Sequence, residues 1–159
     1  DDYEEGVAVK TIRAIRKIPN AKRWNAELRS KASYIISSSN VYEVLLVDRK
    51  KRLTEGSRSN IFLVRGNSLF TPPEKDILQG ITRQKVLDIC EELLIRVSET
   101  DIPLSDLPFY EAAFLSGTSP GVLPIKMIDS IRFNASNDIM LKVMQAYQEL
   151  VKRHVAGQS

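Results

Sequence analysis

The stretch from residue 60 to residue 94 limits the fold most. Asn60 to Arg65 is a β-prone run, Gly66-Asn67-Ser68 a tight turn and Leu69 to Thr71 a second run, closed by Pro72-Pro73. Val86, Ile89, Cys90, Leu93 and Leu94 then recur at i, i+3, i+4, i+7 and i+8, which predicts a helix with one buried stripe. A strand pair that doubles back argues against a purely parallel sheet, and an amphipathic helix needs a surface to cover. Together they point to a mixed α/β domain.

The rest of the chain agrees. Val7 to Arg13 alternates as a strand does, with Val7, Val9, Thr11 and Arg13 on one side. Trp24 to Ser38 reads as a helix that ends at Ser37-Ser38-Ser39-Asn40, and Tyr42 to Val47 as a strand. Past the central helix, with Thr82 expected as its N-cap, come a strand around Ile95 to Ile102 and a short helix from Ser105. Strands at Ala112 to Ser116 and Val122 to Met127 precede a long helix from Asn137 to His154. There is no internal repeat and no low-complexity linker, so 159 residues, 43% of them apolar, make one domain over 1–159.

Composition excludes several chemistries. A single cysteine, Cys90, rules out an internal disulfide and a cysteine-rich zinc site; its apolar helical neighbours make it a core filler. A single histidine, His154, leaves little room for a histidine triad or a multi-histidine metal site. No run approaches the roughly 18 apolar residues of a membrane span. The acidic start Asp1-Asp2-Tyr3-Glu4-Glu5 is unlike a signal peptide, so a soluble, cytoplasmic protein with no membrane partner is expected. Net charge is only +3, and the basic run Arg49-Lys50-Lys51-Arg52, with no interleaved aromatic residues, reads as a solvated hairpin tip rather than a nucleic-acid patch.

Two segments carry chemistry. A helix opening on Gly80-Ile81-Thr82 offers free backbone N–H groups, a hydroxyl and the positive end of its dipole to an anion. Ser116-Gly117-Thr118-Ser119-Pro120-Gly121 follows an apolar strand and can add donors to the same group. Each alone is also what an ordinary cap or turn looks like.

In combination they resemble a known family. Lys22, then Thr54-Glu55-Gly56-x-x-x-Asn60, then Gly80-Ile81-Thr82-Arg83, then Ser116-Gly117-Thr118 and Pro124 follow one another as in the class IV aminotransferases. These pyridoxal phosphate enzymes include branched-chain and D-amino acid aminotransferases and aminodeoxychorismate lyases. The resemblance runs from about Gly6 to Ile131. It implies the C-terminal domain of the D-amino acid aminotransferase-like fold, an α/β (mixed α+β) arrangement whose mixed strands form a pseudo-barrel flanked by helices.

It also implies roles. Lys22, 33 residues before Glu55, stands where the family keeps the lysine that carries pyridoxal 5'-phosphate. Such an amine must be neutral to attack an aldehyde, which a desolvated or cation-rich pocket favours. Glu55 matches the carboxylate that keeps the pyridine nitrogen protonated, and Leu78 an apolar residue packed on the ring. Ile81, Thr82, Gly117 and Thr118 match the phosphate-binding positions. Arg58 lies in the stretch that passes the ring, and Ser119 in the loop that borders the substrate's carboxylate.

Some positions depart from the family pattern. Glu27 stands five residues after Lys22, where branched-chain enzymes have a tyrosine, and this disfavours that assignment. Leu78-Gln79-Gly80 replaces Leu-Pro-Gly. Members also carry a preceding α/β domain that supplies an arginine to the phosphate and one wall of the substrate pocket, so the chain is expected to be inactive without it. The resemblance implies a homodimer that transfers an amino group between an amino acid and a 2-oxo acid. An aminodeoxychorismate-type lyase on the same cofactor, a catalytically silent domain and a nucleic-acid-binding domain stay open as alternatives.

Overall fold

The computed structural model describes residues 1–14, 22–77 and 80–157, with 22–25 and 76 described by backbone only. In chain order the elements are α1 (Asp2–Glu5), β1 (Val7–Arg13), α2 (Lys22–Ser39), β2 (Glu43–Val47), β3 (Arg52–Gly56), β4 (Asn60–Arg65) and β5 (Ser68–Thr71). After these come α3 (Ile81–Glu92), β6 (Arg96–Glu99), β7 (Ile102–Pro103), a 3-10 segment (Leu104–Phe109), β8 (Ala112–Gly117), β9 (Gly121–Ile128), β10 (Ile131–Arg132) and α4 (Asp138–Ala156).

The strands make one mixed sheet in the order β6-β5-β4-β8-β9-β1-β2-β3-β7, with β10 paired to β9. It curls into a half-barrel flanked by helices. β1 runs parallel to β2 and β9, and β5 to β6, while the other pairs are antiparallel. Successive residues of a strand face opposite sides. Accordingly Ile61 and Leu63 of β4 join Ala113 and Leu115 of β8 in the concave core, while Phe62 and Val64 face α3 and α4. Phe62 and Phe114 are cross-strand partners and stack with ring centroids 5.1 Å apart. Leu28 and Ala32 of α2 cover Val44 and Leu46 on a third apolar cluster. Both faces are therefore buried along most of the sheet, which is why β2 and β4 read as continuous apolar runs.

Several expectations shift. α2 begins at Lys22 rather than Trp24, and the strand expected over 95–102 is split into β6 and β7. The stripe of α3 stops short: the helix ends at Glu92, Leu94 takes a left-handed φ of 58°, and Leu93 and Leu94 are 43% and 92% exposed. Ile95 donates its amide to the Cys90 carbonyl, so the chain turns into β6 before a further helical turn can bury them. Gly80, not Thr82, is the N-cap of α3, with Thr82 the second helical residue. Asn137 caps α4 through its side chain, which accepts from the Met140 amide at 3.0 Å. The basic run is a hairpin tip: Arg52 pairs with Asp48 at 2.8 Å and with Asp101 at 3.0 Å. No helix among the described residues is long and apolar enough to cross a membrane.

Candidate functional site

Antiparallel pairing gathers the motif segments at one end of the sheet. β2 pairs with β3 and β4 with β8, so the start of β2, the end of β3, the start of β4 and the end of β8 lie together. Asn60 sits opposite Ser116 in the β4–β8 ladder, and the first turn of α3 comes to the same end. Between them lies a pocket of about 640 Å³, within the range of small-molecule sites.

The pocket receives most of the residues singled out from the sequence. Glu55, Arg58, Ile81 and Thr82 line it from β3, the following turn and α3. Gly117, Thr118 and Ser119 line it from the turn between β8 and β9. Lys22 opens α2, but its side chain lies outside the described residues, as does the whole of Leu78.

Other lining residues were not anticipated. Arg29 of α2, Tyr42, Glu43, Ser57 and Ser59 face the same space. Burial pushes the Tyr42 phenol above its ordinary value, helped by the acidic groups of Tyr3, Glu43 and Asp2 and opposed by Arg58, so it stays an O–H donor at neutral pH. Arg29 and Arg58 are both exposed at the rim. Nothing in the pattern of residues 22–39 marks Arg29, and Glu43 is hidden inside a strand-like run.

Glu43 accepts four hydrogen bonds in the site. Its Oε1 accepts from the Val44 amide at 2.9 Å and the Ser57 hydroxyl at 2.5 Å. Its Oε2 accepts from the Arg58 amide at 3.1 Å and the Ser59 hydroxyl at 2.9 Å. The turn closes on itself through the Gly56 amide, which donates to the Ser59 carbonyl at 2.8 Å.

The pocket fits an anionic ring compound. α3 starts on Gly80 with no side-chain cap, which leaves its first amides to be satisfied from outside the helix. Ser116 is fully buried and lines the pocket, and among the described residues its Oγ has no hydrogen-bond partner, so it can donate into that space. A β-carbon on Gly117 would stand 3.3 Å from the Arg58 carbonyl and from Pro120, so any larger residue there would crowd that wall. A buried carboxylate, Glu55, faces the same space. Donors suited to an anion and a buried carboxylate therefore line one pocket.

Comparison with known proteins agrees with this chemistry. Residues 4–128 match the family described as amino-transferase class IV. A protein of Thermotoga maritima named as a probable branched-chain-amino-acid aminotransferase is 33% identical over 137 residues, covering 83% of this chain and 50% of that protein. The D-alanine aminotransferase of Bacillus licheniformis is 29% identical over 136 residues, covering 84% of this chain and 46% of its own. The crystal structure of a branched-chain aminotransferase from Thermoproteus uzoniensis with norvaline superposes with a TM-score of 0.84 at 28% identity, over 95% of this chain and 54% of that one. The chain spans about half the length of the relatives it matches.

Proposed function

The chain belongs to the class IV aminotransferase family, and from that premise we propose that the protein carrying it transfers an amino group between an amino acid and a 2-oxo acid, with pyridoxal phosphate as cofactor. Class IV aminotransferases use that cofactor. The observation that carries the reading is the convergence of Glu55, the uncapped start of α3 and Ser116-Gly117-Thr118 on one pocket.

When bound, the cofactor supplies an electron sink for negative charge developing at the amino acid's α-carbon. The amides of Ile81 and Thr82, with Gly117 and Thr118, hold its phosphate at the positive end of α3. Glu55 accepts a hydrogen bond from the protonated ring nitrogen and so keeps that proton in place. Arg58 adds positive charge at the edge of the cofactor's ring. Lys22 holds the cofactor through Nζ. With the cofactor bound, the Lys22 amine would serve as the base that takes the proton from the substrate's α-carbon and as the acid that returns it. Ser119 faces the substrate's carboxylate.

The half of the relatives' length that this chain does not span would furnish the opposite wall as an N-terminal domain, in a cytoplasmic homodimer. The test is borohydride reduction of the full-length protein after addition of pyridoxal phosphate, followed by peptide mass analysis and an amino-acceptor assay with 2-oxo acids. The expected result is a cofactor mass locked on Lys22 and an aminated acceptor. A label on another lysine, or no label, would sink the assignment.

A further inference from the structure

We propose that Glu43 is a positioning residue of this site: its carboxylate shapes the turn at 56–59 and, through that turn, places Glu55 and Asn60 on the pocket wall. The proposal rests on the reading above that the pocket receives pyridoxal phosphate.

A carboxylate has about four lone-pair positions, and Glu43 fills two on each oxygen. Oε1 takes the Val44 amide and the Ser57 hydroxyl, and Oε2 takes the Arg58 amide and the Ser59 hydroxyl. A group so occupied has no capacity left to accept a proton from substrate or to bond the cofactor. Its work is on the turn.

The donors also explain why the residue must be glutamate. The two hydroxyls can rotate, but the two backbone N–H groups cannot reverse. A glutamine would place its NH2 against either the Val44 or the Arg58 amide, donor against donor. An aspartate would be one methylene short from a backbone held by pairing of Glu43 with Val9.

The turn leaves no slack around the carboxylate. A β-carbon on Gly56 would stand 2.2 Å from the Ser59 Oγ and 2.9 Å from Glu43 Oε2. Gly56 donates to the Ser59 carbonyl at 2.8 Å, and the Ser57 amide to the Val44 carbonyl at 3.2 Å. This closed loop is the connection between Glu55, the fourth residue of β3, and Asn60, the first of β4. Loss of the central acceptor leaves buried donors unpaired and lets the connection open.

The experiment compares Glu43→Gln and Ser59→Ala with the wild-type full-length protein by amide hydrogen exchange and by pyridoxal phosphate titration. Glu43→Gln is expected to speed exchange of the 57–59 amides at least about tenfold, to leave α4 unchanged and to weaken cofactor affinity about tenfold or more. Ser59→Ala, which keeps the carboxylate and both amide bonds, shifts both readings in the same direction by less. A loosened turn with undiminished affinity, or an unaltered turn, overturns the role of Glu43. If Glu43→Gln does not fold, the same two readings on Ser59→Ala decide, and no change in either overturns it. Wild-type protein that binds no pyridoxal phosphate overturns the cofactor reading itself, a result separable from a variant that binds as wild type does.

Discussion

Asn60 and Gly80 are fitted to each other: the Oδ1 of Asn60 lies 2.5 Å from the point a β-carbon on Gly80 would occupy. The φ of −106° and ψ of 141° at Gly80 are extended values open to any residue. Space, rather than conformation, favours the glycine, because an added β-carbon would force the Asn60 side chain to move. The contact joins the segment that carries Glu55 to the start of α3. Gly80→Ala is therefore expected to push the two apart, to cost about 1–3 kcal/mol of stability as overpacking does, and to weaken pyridoxal phosphate binding. Urea unfolding and cofactor titration check it; a variant equal to wild type in both would mean that the contact yields freely.

Glu55 is buried, and its role in the proposed reaction is to keep one proton on the cofactor ring. Glu55→Gln preserves shape and removes the charge. The expected outcome is retained cofactor binding through the phosphate donors, with kcat lowered by about a hundredfold or more, the scale on which one aimed electrostatic group acts. Steady-state kinetics beside a cofactor titration separate the two effects. An unchanged kcat would remove Glu55 from the mechanism.

How much of this was readable beforehand depends on the kind of signal. β1 and β4 were legible because alternation and a Gly-Asn-Ser turn are local codes, and α4 because a long helix near the end was read from residue 137 on. Leu93 and Leu94 misled because a helical stripe does not announce where the helix stops; the bond from Ile95 to the Cys90 carbonyl decides that. The family resemblance singled out Glu55, Thr82 and Gly117, and all three line the pocket. Glu43 was not singled out, because a glutamate at the head of an apolar run looks like a solvated strand end. Only the folded turn shows that Ser57, Arg58 and Ser59 converge on it.

Arg83 continues the same motif but faces away from solvent. Its side chain is 3% exposed and its Nη2 lies 2.6 Å from Glu99 Oε1, whose own side chain is 45% exposed. Nη2 also donates to the Pro72 carbonyl at 3.3 Å. Removing Glu99 strands most of a buried positive charge, which costs far more than an exposed pair is worth. Glu99→Ala is expected to destabilise by about 1–3 kcal/mol. Adding Arg83→Met should recover part of that loss, because it removes the stranded charge. A double-mutant cycle by urea unfolding reads both effects. Simple additivity of the two losses would refute the coupling.

Cys90 ties pH to stability. It is fully buried among Val86, Ile89 and the face of the sheet, and burial pushes its thiol up to about 11 from an ordinary value of 9.0. The folded protein therefore keeps the proton where the unfolded chain releases it. Since the unfolded state binds fewer protons between those values, stability falls as pH rises from about 9 to about 11 and gains nothing from this group below that window. Cys90→Ala should lose that component of the alkaline slope while paying a small packing penalty at neutral pH. Urea midpoints at pH 8 and pH 10.5 for both proteins provide the comparison, and thiol-reagent labelling should be slow in the native protein and fast in the unfolded one. Equal alkaline slopes in the two proteins, or prompt labelling of the native one, would mean that the thiol ionises in the fold as readily as in water.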